Sequence, residues 1–140
     1  RAGYLKNISA QPDGAVPKIK AFVLGGRSTI RGFDPSREAF PRNEDEGFAG
    51  GIRTESHFYL VKTELRFPIW GNFAGALFYD GGGVFYPGFN PQFPWRDSVG
   101  IGFRYITPVG PFSVEYGHKL NRDTRRGEGP GFLHISFGVF

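Results

Sequence analysis

The side chains able to do charge chemistry here are an arginine in a glycine-rich loop, single carboxylates among apolar residues, and three histidines. Arg31 sits in the tripeptide Arg31-Gly32-Phe33, preceded by Gly25-Gly26, and the segments that follow carry isolated acids in apolar surroundings. An arginine leaving such a loop can meet buried carboxylates, because its guanidinium presents planar donors and keeps its charge. His57, His118 and His134 fall on different segments, without cysteine or repeated acids at ligand spacing, so no metal site is expected. Serine, histidine and aspartate are all present, yet no Gly-x-Ser-x-Gly elbow exists to present a nucleophile. Gly100-Ile101-Gly102 lacks the third glycine and the helix of a dinucleotide fingerprint. Gly81–Gly83 reads as a strand bend or close contact rather than a phosphate cradle. No catalytic residue and no cofactor are therefore expected.

The elements that must position Arg31 are strands. With 22 glycines, many aromatics and few helix-forming runs, the composition favours an all-β chain. The chain holds no cysteine, which excludes disulfides and thiolate metal sites. It also holds no methionine and starts at Arg1, which predicts that residues precede it in the natural protein. No apolar run approaches the ~20 residues of a membrane helix, and none reads as a signal peptide; a membrane strand needs only ~9–11 residues with every second one apolar. The net charge of +4 is mild and its basic residues are interspersed with acids, so no nucleic-acid partner is expected.

Five segments alternate with period two. In 57–67, Tyr59, Val61, Thr63, Leu65 and Phe67 face one way, and Lys62, Glu64 and Arg66 the other. In 73–84, Phe73, Leu77 and Tyr79 oppose Ala74, Ala76, Phe78 and Asp80. Segment 98–107 sets Val99, Ile101, Phe103, Tyr105 and Thr107 against Ser98, Gly100, Gly102 and Arg104. Segment 112–120 sets Phe112, Val114, Tyr116 and Leu120 against Ser113, Glu115, Gly117 and Lys119. The last, 132–140, sets Leu133, Ile135, Phe137 and Val139 against His134, Ser136 and Gly138. Residues 1–6 read as the tail of an earlier strand.

The joins alternate between short (68–72, 108–111) and long (86–97, 121–131 and about 7–56), the layout of an outer-membrane barrel. A soluble barrel or sandwich has a similar composition. Its core would have to bury Lys62, Glu64, Arg66, Arg104, Glu115 and Lys119, at high cost for unpaired ions. In a membrane barrel the same residues line a wet lumen, while Tyr59, Phe67, Trp70, Phe73, Tyr105 and Tyr116 supply interfacial girdles. Such barrels start at about 8 strands, so five or six must belong to a larger barrel or be one protomer of an assembled one.

Leu24-Gly25-Gly26-Arg27-Ser28-Thr29-Ile30-Arg31-Gly32-Phe33 resembles the loop signature of the BamA/TamA outer-membrane insertase superfamily. The same resemblance extends in order through Glu64-Leu65-Arg66-Phe67-Pro68, the stretch 78–85, Gly100-Ile101-Gly102-Phe103-Arg104-Tyr105 with 107–111, and the closing 133–140. It implies an antiparallel transmembrane β-barrel in the outer membrane, of which residues 1–140 are the C-terminal five to six strands, roughly the last third of sixteen. Residues 7–56 would be a long extracellular loop folded into the lumen, residues 57–140 five strands, and the periplasmic POTRA domains would lie outside this chain.

By the same resemblance Arg31 meets Glu64 and Asp80, Gly32 lets the backbone approach the wall, and Phe33 packs near Ala74 or Ala76. The terminal strand, with Leu133, Ile135, Phe137, Gly138 and Phe140, would be a targeting signal and one side of a seam that opens to template client strands. Its phase departs from the family pattern, because Phe140 alternates with the inward set. Either a residue is missing after it, or the strand end is twisted or bulged. The implied partners are unfolded outer-membrane protein clients, outer-membrane lipids or lipopolysaccharide, accessory lipoproteins and another barrel segment. Arg122, Arg125 and Arg126 are either lipopolysaccharide contacts or solvated loop residues. The implied function is assembly and insertion of β-barrel proteins through the gated seam. Two-partner-secretion-type translocation and the anchor barrel of a fused enzyme are the alternatives.

Overall fold

Alternating residues give one continuous antiparallel sheet. The computed structural model describes residues 1–5, 24–34, 56–85, 95–122, 124 and 127–138. Six strands follow in chain order: β1 (Ala2–Leu5), β2 (Ser56–Trp70), β3 (Phe73–Phe85), β4 (Arg96–Thr107), β5 (Gly110–Lys119) and β6 (Gly131–Phe137). Each strand pairs with the next, and among the described residues β1 and β6 do not meet, so the sheet is open.

The two short connections are tighter than the sequence spacing implied. β2 runs on through Pro68 to Trp70 and leaves Gly71-Asn72 as the turn, with Gly71 at a φ of 54° that other residues rarely adopt. The ladder shifts register between Pro68 and Trp70, which suits a proline that has no N–H to donate. Thr107 and Gly110 pair across Pro108-Val109. At the far end, β6 stops at Phe137, short of the expected Phe140. Gly138 takes a φ of 114° and ends the extended run, while Val139 and Phe140 lie outside the described residues.

The two faces invert the pattern of a water-soluble sheet. Leu65 is 63% exposed on the outer face, whereas Glu115 on the polar face is 1% exposed. Val61, Phe67, Leu77, Ile101, Phe103, Ile135 and Phe137 continue the bare apolar surface across the strands. A face of this kind is stable against hydrocarbon and costly against water. Near the short turns, Phe73 and Tyr105 stack at 4.4 Å between ring centroids, beside the exposed Trp70. This aromatic group has the composition of a membrane-interface belt.

The covered core lies on the polar face. There Leu24, Ile30 and Phe33 of the 24–34 segment pack with Leu60, and Phe58 lies against them. The ionic rows of β2 therefore give way to an apolar floor at Phe58 and Leu60. Rings also lie over glycines of neighbouring strands. A Cβ on Gly75 would meet the Phe67 ring at 2.6 Å, one on Gly131 the Tyr116 hydroxyl at 2.7 Å, and one on Gly100 would overlap the Phe78 ring.

Leu65→Arg on the outer row should destabilise the protein in lipid vesicles by about 2–4 kcal/mol. Arg66→Gln, exposed on the polar face, should change stability by less than ~0.5 kcal/mol. Urea unfolding in vesicles followed by tryptophan fluorescence measures both.

Candidate functional site

Residues 24–34 fold into two successive tight turns that project Arg31 toward the sheet. The amide of Thr29 donates to the Gly26 carbonyl at 3.1 Å, and that of Phe33 to the Ile30 carbonyl at 3.1 Å. Gly26, at a φ of 90°, donates to the Phe33 carbonyl at 2.9 Å and closes the base of the loop. The Gly25 amide donates to the Thr29 hydroxyl at 2.7 Å. The apolar residues Leu24, Ile30 and Phe33 then anchor this compact unit on Leu60.

Arg31 is the most connected side chain of the site. Its Nε donates to Asp80 Oδ2 at 2.6 Å and its Nη2 to Asp80 Oδ1 at 2.8 Å, a two-pronged pair. The Arg31 backbone amide reaches the same Oδ2 at 3.1 Å. Nη1 donates to Glu64 Oε2 and lies 3.7 Å from Glu115 Oε2. The Phe78 ring lies 3.5 Å beneath the guanidinium carbon. Burial opposes the Arg31 charge, but hydrogen bonds to Asp80 and Glu64 outweigh it and hold its pKa above the ordinary value. A lysine could not reproduce this, since a point-like ammonium cannot fork across two carboxylates while stacking on a ring.

The surrounding residues complete the charge balance. Arg104 bridges the acids, with Nη2 at 3.1 Å from Glu64 Oε1 and 2.9 Å from Glu115 Oε1. Arg27 Nε lies 3.5 Å from Glu115 Oε2, and its Nη2 donates to the Ser113 hydroxyl at 3.1 Å. Lys62 Nζ donates to the Arg27 carbonyl at 2.9 Å. Four strands, β2 to β5, thus contribute to one network of alternating cations and anions around the loop. The fifth attachment comes from β6, where His134 Nε2 lies 2.8 Å from the Arg31 carbonyl oxygen.

Gly32 rests on the wall at two points. Its amide donates to the Ser98 hydroxyl at 3.1 Å. A Cβ on Gly117 would come within 2.6 Å of the Gly32 nitrogen, so the loop backbone lies directly on the bare backbone of β5. Phe33 is not beside Ala74 or Ala76. It lies 4.7 Å from the Arg96 guanidinium carbon and 4.9 Å from Lys119 Nζ, measured to the ring centroid. The Glu115 side chain occupies the space near Ala76, with its Cγ 3.2 Å from where a Cβ on Gly102 would be. The ring is therefore seated toward the long-loop end.

Within the terminal strand, Leu133, Ile135 and Phe137 are exposed on the outer face and His134 and Ser136 point inward. Phe140 lies outside the described residues, as do Arg125 and Arg126 and most of residues 7–56. Ser98, Glu115, Gly117 and His134 were not assigned as loop partners from the sequence, nor Arg104 as the bridge between the acids. The inward phase of each strand was their only signal.

A family model described as the Omp85 superfamily domain matches residues 1–139. The chain belongs to the Omp85 superfamily. Membership places the open sheet in an outer-membrane β-barrel. The chain is 28% identical over 136 residues to the outer membrane protein assembly factor BamA of Nitratidesulfovibrio vulgaris, covering 91% of this chain and 16% of that protein. It is 31% identical over 107 residues to the chloroplastic outer envelope protein 80 of Arabidopsis thaliana, covering 69% of this chain and 13% of that protein. The chain thus spans a small part of each relative's length. No solved structure matches it significantly. The Omp85 match includes the 24–34 loop and all six strands, so the charge cluster lies wholly within the family domain.

Arg31→Ala should cost about 3–5 kcal/mol, because Asp80 keeps its burial and loses the guanidinium bound to it, whereas Glu115 keeps Arg104 and Arg27. Thermal unfolding in detergent measures it. Gly117→Val should lift the loop off the wall. The amides of Gly32 and Phe33 should then exchange with deuterium faster, while β3 and β4 amides stay protected.

Proposed function

We propose that this chain supplies the loop-bearing wall of a barrel that assembles and inserts β-barrel proteins into the outer membrane. The observation that carries the reading is Arg31, set by its loop against acids from β2, β3 and β5. An enzyme's carboxylates would face a cleft with a pKa tuned for proton transfer, whereas these are engaged by arginines that cannot give up a proton. The cluster suits a mechanical role, in which it braces the polar interior and keeps the long loop inside the lumen. The name of the BamA relative, an assembly factor, supports the same direction.

In this reading the work is strand addition. An unfolded client contributes main-chain N–H and C=O groups that an exposed strand edge can pair, and alternate side chains select the register. β6 would offer such an edge where the barrel seam opens, and its apolar outer row and polar inner row suit a place in that wall. The client is an unfolded outer-membrane protein, and the lipid around the seam is the second partner. Accessory lipoproteins, lipopolysaccharide and POTRA domains outside residues 1–140 complete the proposed machine. No bond is made or broken in the client.

The test is insertion by the intact natural protein in lipid vesicles. A urea-denatured barrel client should fold at least severalfold faster than in empty vesicles, and Asp80→Asn should remove most of that gain. Client folding is read by gel mobility without heating. A client rate equal to that of empty vesicles, with an unfolded soluble protein instead passing into the vesicle, would replace insertion by translocation.

A further inference from the structure

The terminal strand reaches the loop by two routes, one direct and one relayed through β5. His134 reaches the Arg31 carbonyl oxygen at 2.8 Å, so its Nε2 carries the proton and donates. Ser136 Oγ lies 2.7 Å from Ser113 Oγ, which accepts from Arg27 Nη2 at 3.1 Å. Both are inward residues of β6, one alternation apart: His134 touches the Arg31 end of the segment directly, and Ser136 reaches the Arg27 end through Ser113 of β5. Among the described residues β6 pairs with one strand only, β5, along the register Phe112↔Phe137 to His118↔Gly131. A strand of only 7 residues is sensitive to each side-chain attachment it makes.

We propose that His134 and Ser136 are positioning residues that couple the seating of the Arg27–Arg31 segment to the attachment of β6. Releasing either partner then loosens the other, because a coupling free energy between two sites acts in both directions. The Arg31 carbonyl lends itself to this role. Its side chain is held by β2 and β3, so the His134 bond ties β6 to strands three and four places away in the sheet. The coupling is a property of the wall itself and holds whichever polypeptide the barrel handles.

Hydrogen–deuterium exchange on the intact natural protein in lipid bilayers tests it, with no client present. His134→Leu should raise exchange about tenfold, the size of one buried hydrogen bond, both in β6 and at the Gly32 and Phe33 amides. His134→Gln, which can still donate to the carbonyl, should restore most of the protection, as a space-filling role would not require. Arg27→Ala should loosen β6 from the loop side, and the Arg27→Ala/Ser136→Ala double variant should be no worse than the stronger single. The proposal is overturned if His134→Leu and Ser136→Ala leave the Gly32 and Phe33 amides within twofold of the parent, or if the Arg27 and Ser136 effects simply add. Should His134→Leu fail to fold, the Arg27 and Ser136 cycle decides alone.

Discussion

Asp80 is wholly covered, and a carboxylate in that position is tolerable only while a cation lies on it. Arg31 meets that need with two side-chain donors and its own backbone amide, so one carboxylate organises both a guanidinium and the turn that carries it. Everything nearby follows from this pair. Ser98 faces Asp80 across the ladder and binds the next amide of the loop, and Gly117 clears the space the loop backbone occupies. Glu64 and Glu115 could not both stand so close to Asp80 without Arg31, Arg104 and Arg27 between them. The pair therefore fixes where the loop lies, and the loop fixes the charge pattern of the wall.

The outer face imposes an opposite demand. Hydrocarbon rewards a uniform apolar surface, so specificity cannot be written there in charges or hydrogen bonds. It is written inside instead. The same strands that look alike from without, each a mainly aliphatic and aromatic row, differ from within at every second residue. That division lets one sheet be generic toward lipid and particular toward its loop.

Period-two alternation made the strands legible, because a half-wet wall leaves the strongest pattern a sequence can carry. It assigned Leu65 and Ile101 outward and Asp80, Ser113 and Glu115 inward with no knowledge of pairing. Turn boundaries were less legible: the proline at Pro68 looked like an end, yet β2 continues past it through a register shift. The position of Phe33 was not legible at all, since it depends on how the loop folds Leu24 and Ile30 beside it onto Leu60. His134 illustrates the general limit. A histidine on an inward row announces a polar neighbour, but its partner is a backbone carbonyl 103 residues earlier in the chain, and backbone atoms leave no trace in residue identity.

The rings that lie over glycines on adjacent strands have a mechanical meaning. Phe67 over Gly75, Phe78 over Gly100 and Tyr116 over Gly131 act as keys in slots, each cut for one alignment. Sliding one strand along its neighbour would drive a ring into a Cβ or leave a slot empty, so the sheet is stiff in shear. Pulling an edge strand sideways breaks the ladder one rung at a time and lifts each key straight out. For β6, the Tyr116 ring at Gly131 adds the same constraint to its ladder with β5, so that pair too has one register that fits.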